Sequence, residues 1–168
     1  MISNIVYIIF ILYGIFTSFT RLGGAAMTFA LALEPNINHN QQKIYRTAHV
    51  VHAFNNVGFA FFGFSIFLFG LFHLFPSDII ITPFLYITLI ILLVGLFANK
   101  TFNYSFNIKE TITNILTKWY NTNPKQKTTK HTIHNQDVNL YNILLTCIND
   151  ITISIVMSIL ITVLILFF

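Results

Sequence analysis

The sequence predicts an all-α integral membrane protein, with about four transmembrane helices and an amphipathic interfacial helix in the connection before the last span. Three observations carry this. Of 168 residues 55% are hydrophobic and only 8% are charged, too few charges to cover a water-exposed surface. Uncharged apolar runs of about 18 residues or more, long enough to cross a hydrocarbon core as helix, recur along the chain. None of them shows the short, strict alternation of β-barrel strands.

Residues 1–33 form the first segment and its extension. Ile2 to Thr20 is a complete span; after Arg21, "LGGAAMTFALAL" either continues the helix or breaks it at Gly23-Gly24. An unbroken helix would be about 48 Å long, so tilt, protrusion or a bend is expected. "ALA" at 30–32 has the small residues of a signal-peptidase site, but no basic residue precedes the apolar run, and the segment is read as retained. Residues 34–47, "EPNINHNQQKIYRT", read as a polar loop opened by Pro35.

Residues 48–98 read as a transmembrane hairpin. Its first helix runs from Ala48 to about Phe75 and its second from Ile79 to Ala98; "FPSD" between them offers Ser77 or Asp78 as N-cap, and Pro83 lies in the first turns. Residues 99–142 are polar, with six lysines against Glu110 and Asp137. Within them Ile108, Ile112, Ile115, Leu116 and Trp119 recur at helical spacing opposite Lys109, Glu110, Thr113 and Lys118. This predicts a helix lying on the membrane face with Trp119 and Tyr120 as interfacial anchors. "NTNPKQKTTKHTIHN", with His131 and His134, reads as an exposed basic loop, and residues 143–168 hold the last span.

A hairpin over 48–98 puts loops 34–47 and 99–142 on one side, and together they carry eight of the nine Lys and Arg residues. The positive-inside rule makes that side the cytoplasm or the mitochondrial matrix. It also accounts for the net charge of +4 without nucleic acid, leaving lipids and other transmembrane subunits as the expected partners. The single Cys147 excludes an internal disulfide and any multi-cysteine metal site built from this chain alone. Nineteen Phe against one Trp, with many Ile and Asn, resembles the product of an AT-rich gene, which points to a mitochondrial or bacterial inner membrane.

The second helix carries the candidate site. His49, Asn56, Gly63 and Gly70 recur every seven residues with Ala53 and Ala60 between them, so all six share one stripe. Small residues let another helix approach closely and polar ones bond across the contact, which makes the stripe a helix-packing seam. His52 lies one turn from His49 and Asn56, and the three form a polar cluster that could take a haem or a quinone. Arg21 and Asp150 are placed at the same level. Either both sit at the inner interface, with Arg21 snorkelling, or they lie inside, Asp150 then pairing with Arg21 or His49. Sequons at Asn99 and Asn103 fall on the inner side, where glycosylation is not expected.

"YRTAHVVHAFNN", at the mouth of the second of four spans, resembles the membrane-associated eicosanoid and glutathione metabolism family, in which this region helps bind glutathione. Ala48, His49, Asn55 and Phe59 fit the pattern, and Arg46 is displaced by one position. Phe54 stands at the family's glutamate and Val51 at its asparagine, and the arginines that activate the thiol have no counterpart. The resemblance implies a small membrane enzyme of glutathione-transferase type.

No phosphate-binding loop, nucleophile elbow or paired carboxylate appears, and no cofactor is required. The expectation is a non-catalytic membrane subunit of a multi-subunit energy-converting complex, of respiratory-chain or ATP-synthase kind. The alternative is a small membrane enzyme or a quinone- or haem-binding protein using His49, His52 and Asn56. A transporter would need Arg21 and Asp150 truly inside the membrane.

Overall fold

The computed structural model describes residues 2–33, 39–75, 81–121 and 130–166, the side chains of 2, 3, 39, 40, 121 and 130–136 excepted. Over these residues the chain is all helix: α1 (Ile2–Ala32), α2 (His39–Leu74), α3 (Thr82–Ser105), α4 (Ile108–Asn121) and α5 (Lys130–Leu166). All but α4 are long and apolar enough to cross a membrane. Ser77 and Asp78 fall outside the described residues, as do the side chains of His131 and His134. At its start α3 has Ile81 as N-cap, with Pro83 where its missing N–H costs nothing.

The helix α1 is unbroken at Gly23-Gly24. Gly24 faces the Asn56 side chain while Gly23 faces open space, so neither position forces a bend. Three boundaries differ from the sequence reading, all because polar residues extend helices rather than form loops. First, α2 begins at His39, not Ala48: Tyr45 is buried and Gln41 donates to Asp137 on α5, so the turns from 39 to 47 pack against protein. Second, α3 continues past Ala98 to Ser105 because Asn99 and Phe102 are buried in the contact with α5. Third, α5 starts at Lys130, well before 143, with Asp137 and Leu140 already buried. The segment 99–142 is therefore mostly helix, turning at Phe106 and at Asn107, whose φ of 45° is one that Asn tolerates.

Helix α4 carries the amphipathic pattern, but its apolar face is covered by the chain itself. Ile108 and Ile115 are buried in one cluster with Tyr45, Phe102, Leu140, Leu144 and Cys147, and Ile112 and Trp119 pack on that cluster. Trp119 is spent on this core, its ring 5.3 Å from that of Tyr141, whereas Tyr120 projects outward. Of the two expected interfacial anchors only Tyr120 has a free ring. Lys118 fastens the far end of α4 to Asp137 at 2.6 Å.

Helix α2 is the centre of the bundle: α3 and α5 pack on it and on each other, and α1 lies along α2 alone. A second apolar cluster of Phe59, Phe62, Leu85, Leu92 and Ile161 fills the opposite half. Between the two clusters lies a layer of polar side chains from α1, α2 and α5.

Candidate functional site

The layer is assembled by the α1–α2 contact. Ser18 donates to the Gly14 carbonyl at 2.7 Å and to the Ala60 carbonyl of α2 at 3.2 Å. A Cβ on Gly63 would meet Ser18 N at 2.9 Å, one on Gly14 would meet Phe67 N at 2.5 Å, and one on Gly70 would meet the Tyr7 carbonyl at 2.8 Å. The two backbones are thus as close as glycine allows. The stripe of Ala60, Gly63 and Gly70 faces α1 of the same chain, and Asn56 meets Gly24 and Arg21 on that same face.

One turn toward the basic end, this contact opens into a hydrogen-bonded chain with one direction. Arg21 Nη1 donates to Asn56 Oδ1 at 3.2 Å, Asn56 Nδ2 donates to His52 Nε2 at 3.1 Å, and His52 Nδ1 donates to Asp150 Oδ2 at 2.5 Å. Asn55 Nδ2 adds a second donor to the same carboxylate oxygen at 3.3 Å. Donors and acceptors alternate only if His52 is neutral with its proton on Nδ1, a tautomer assigned from its partners. A cationic Arg21 at one end then balances an anionic Asp150 at the other, three helices being joined. Arg21 also lies 5.3 Å from the centre of the buried Phe59 ring.

Asp150 is 2% exposed, in the middle of α5. Protein, and not water, surrounds this carboxylate, with α5 continuing on both sides of it. Its partners are His52 and Asn55; Arg21 is reached only through the relay, and His49 bonds to neither. His49 lies apart from the cluster expected of it. It is buried, its ring centre 4.3 Å from that of Tyr45, and neither ring nitrogen has a hydrogen-bond partner among the described residues. Both nitrogens of His52 are engaged, so it has no lone pair for iron, whereas His49 keeps one. Among the described residues no three His, Cys, Asp or Glu side chains converge. His49 thus keeps a free ring lone pair, but at 5% exposure and against Tyr45 it is enclosed by protein.

Several members went unread. Asn55 has no place in the predicted polar cluster, yet it braces Asp150 and fits because α3 has Gly95 opposite, where a Cβ would stand 2.6 Å from Asn55 Oδ1. Asn99 donates to the Cys147 carbonyl at 2.7 Å and Ser65 bonds Thr88 at 2.8 Å, tying α3 to α5 and to α2. Asn99, fully buried, is not an available sequon. A signal for the α1 side was present: Gly14, Ser18, Arg21, Ala25, Thr28 and Ala32 follow alternating spacings of four and three, the complement of the α2 stripe. No protein-family model matches the chain, and no curated protein or solved structure matches it.

Proposed function

We propose that the chain is an integral membrane subunit without catalysis of its own, held in a larger energy-converting assembly of the mitochondrial or bacterial inner membrane. The observation that carries this reading is the exposed flank of α1. Packed on α2 alone, α1 leaves Leu12, Phe16, Phe19 and Met27 all more than 60% exposed. Beside it an apolar cavity of about 680 Å³ runs between α1, α2 and α5, walled by Phe10, Phe62, Phe69 and Met157. The small residues that close helix contacts are used inside the chain, and the polar layer is paired largely within itself. What is left unpartnered is a broad aromatic flank, suited to the transmembrane helices of other subunits.

The membrane setting rests on the four long apolar helices. From Leu74 back to His52 the helix rises about 33 Å, and from Leu166 back to Asp150 about 24 Å. A hydrocarbon core of about 30 Å would therefore end near the polar layer, with the lysine-bearing ends beyond it on the matrix or cytoplasmic side. The energy-converting class rests on the AT-rich character of the composition. The unpartnered nitrogens of His49 favour a second reading, a quinone- or haem-binding protein, within which a divergent glutathione-transferase-like enzyme is one form.

Alkaline extraction of membranes followed by native electrophoresis, with mass spectrometry and an absorption spectrum of the band, tests both. Comigration with respiratory or ATP-synthase subunits is the expected result. A small homo-oligomer retaining haem, quinone or glutathione would favour the second reading, and release by alkali would remove the membrane setting.

A further inference from the structure

The basic end of the bundle contains a cavity of about 910 Å³ between the last turns of α3, the start of α4 and the side of α5. Two lysines, Lys100 and Lys109, line it together with Asn103 and Tyr104, while Ile148 and Ile151 line it from α5. The ion pairs among the described residues are His52–Asp150 and Lys118–Asp137, so neither cavity lysine is neutralised by a carboxylate. Glu110, the nearest acid in sequence, accepts a hydrogen bond from Asn107. The lining amides are spent inside the protein, Asn103 on Asn99 and Asn107 on Glu110, so the two uncompensated ammonium groups, with the Tyr104 phenol beside them, are what a phosphate would meet.

The apolar lining decides which phosphate. Ile148 and Ile151 begin a stripe that continues along α5 as Ile155 and Ile159, 40% and 58% exposed, toward the apolar end of the bundle. A headgroup held by the lysines would leave its acyl chains lying on that stripe, whereas a soluble phosphate compound would have no use for it. We propose that this cavity binds the headgroup of an anionic phospholipid, with Lys100 and Lys109 on the phosphate and the acyl chains along Ile151, Ile155 and Ile159. Clustered basic side chains at the inner membrane face attract anionic lipid, each contributing attraction that falls away within a Debye length. The proposal rests on the membrane setting given above but not on membership of a larger complex.

The test is native mass spectrometry of the full chain released from bilayers of equal phosphatidylglycerol and phosphatidylcholine with matched acyl chains. The expected result is selective retention of phosphatidylglycerol, reduced roughly tenfold or more in Lys100→Gln/Lys109→Gln and unchanged in Arg46→Gln, an exposed cation at the same end that does not line the cavity. Added inorganic phosphate should not displace the lipid. Equal retention of the two lipids, equal loss in Arg46→Gln, or displacement by inorganic phosphate would each overturn the proposal. Failure of the chain to enter bilayers at all would overturn the membrane setting instead, and with it this site. Circular dichroism of the double variant, whose substitutions lie on exposed side chains, checks that a lost adduct is not a lost fold.

Discussion

His52 on α2 and Asp150 on α5 are joined by a hydrogen bond of 2.5 Å, and Asn56 carries that tie on to Arg21 of α1. An isolated carboxylate at this depth would be costly, whereas a paired one with two donors is tolerated and sets the relative position of three helices. Removing one partner should therefore cost more than removing both charges. Asp150→Ala leaves the His52 and Asn55 donors without their acceptor and is expected to destabilise the protein by about 1–3 kcal/mol. Adding Arg21→Met to Asp150→Ala should recover part of that loss. Thermal unfolding in detergent, followed through Trp119 fluorescence, gives the double-mutant cycle; strict additivity would mean that the relay carries no coupling.

The glycines on α1 should divide sharply. Gly14→Ala places a methyl 2.5 Å from the Phe67 backbone nitrogen, which cannot yield, and is expected to cost about 1–3 kcal/mol and to separate α1 from α2. Gly23→Ala meets nothing within 4 Å and should be neutral or stabilising by up to about 1 kcal/mol. On α2, Gly63→Leu should disrupt the α1–α2 contact more than His52→Ala does. Disulfide trapping between cysteines placed on α1 and α2 reads all four variants.

Gly95→Ala acts through Asn55. The new methyl would stand 2.6 Å from Asn55 Oδ1, so the amide must move and its bond to Asp150 is lost. The expected signature is non-additivity: the substitution should be harmful in the wild type and nearly harmless in an Asn55→Ala background. Equal effects in both, measured as shifts in unfolding temperature, would mean that Gly95 matters for some other contact.

Lys118 is half exposed and its partner Asp137 is buried, so the pair is asymmetric. Lys118→Met should loosen α4 because, among the described residues, it leaves the carboxylate with Gln41 as its remaining side-chain donor. Lys118→Met/Asp137→Asn should be tighter than the single variant, since no buried charge is then stranded. Proteolysis at the Phe106–Asn107 turn, faster in the single variant than in the double, is the readout.

The four long apolar helices were legible because hydrophobic runs record them directly, and so was the stripe from Ala60 to Gly70, because small residues at spacings of three and four have few other uses. The helix ends were not legible. Gln41, Tyr45, Asn99 and Asp137 read as loop residues, and only their contacts across the bundle, invisible to local polarity, keep them helical. The same limit hid the pairing of the polar groups. His49 and His52 both fall near the stripe, and nothing in their spacing tells that His52 turns to Asp150 while His49 turns to Tyr45. The contact of Trp119 with Tyr141 was hidden for a related reason: an amphipathic face says that it will be covered, not which residues cover it.

The most direct test of the central claim is native electrophoresis of mildly solubilised membranes containing either the wild-type chain or Leu12→Ala/Phe16→Ala/Phe19→Ala, which trims the exposed flank of α1 without touching its contact with α2. The account predicts that the wild-type chain runs in a band far larger than its own mass, together with inner-membrane subunits, and that the variant is shed from that band while still folded and membrane-inserted. A wild-type chain that migrates alone or as a small homo-oligomer, with the variant indistinguishable from it, would contradict the account.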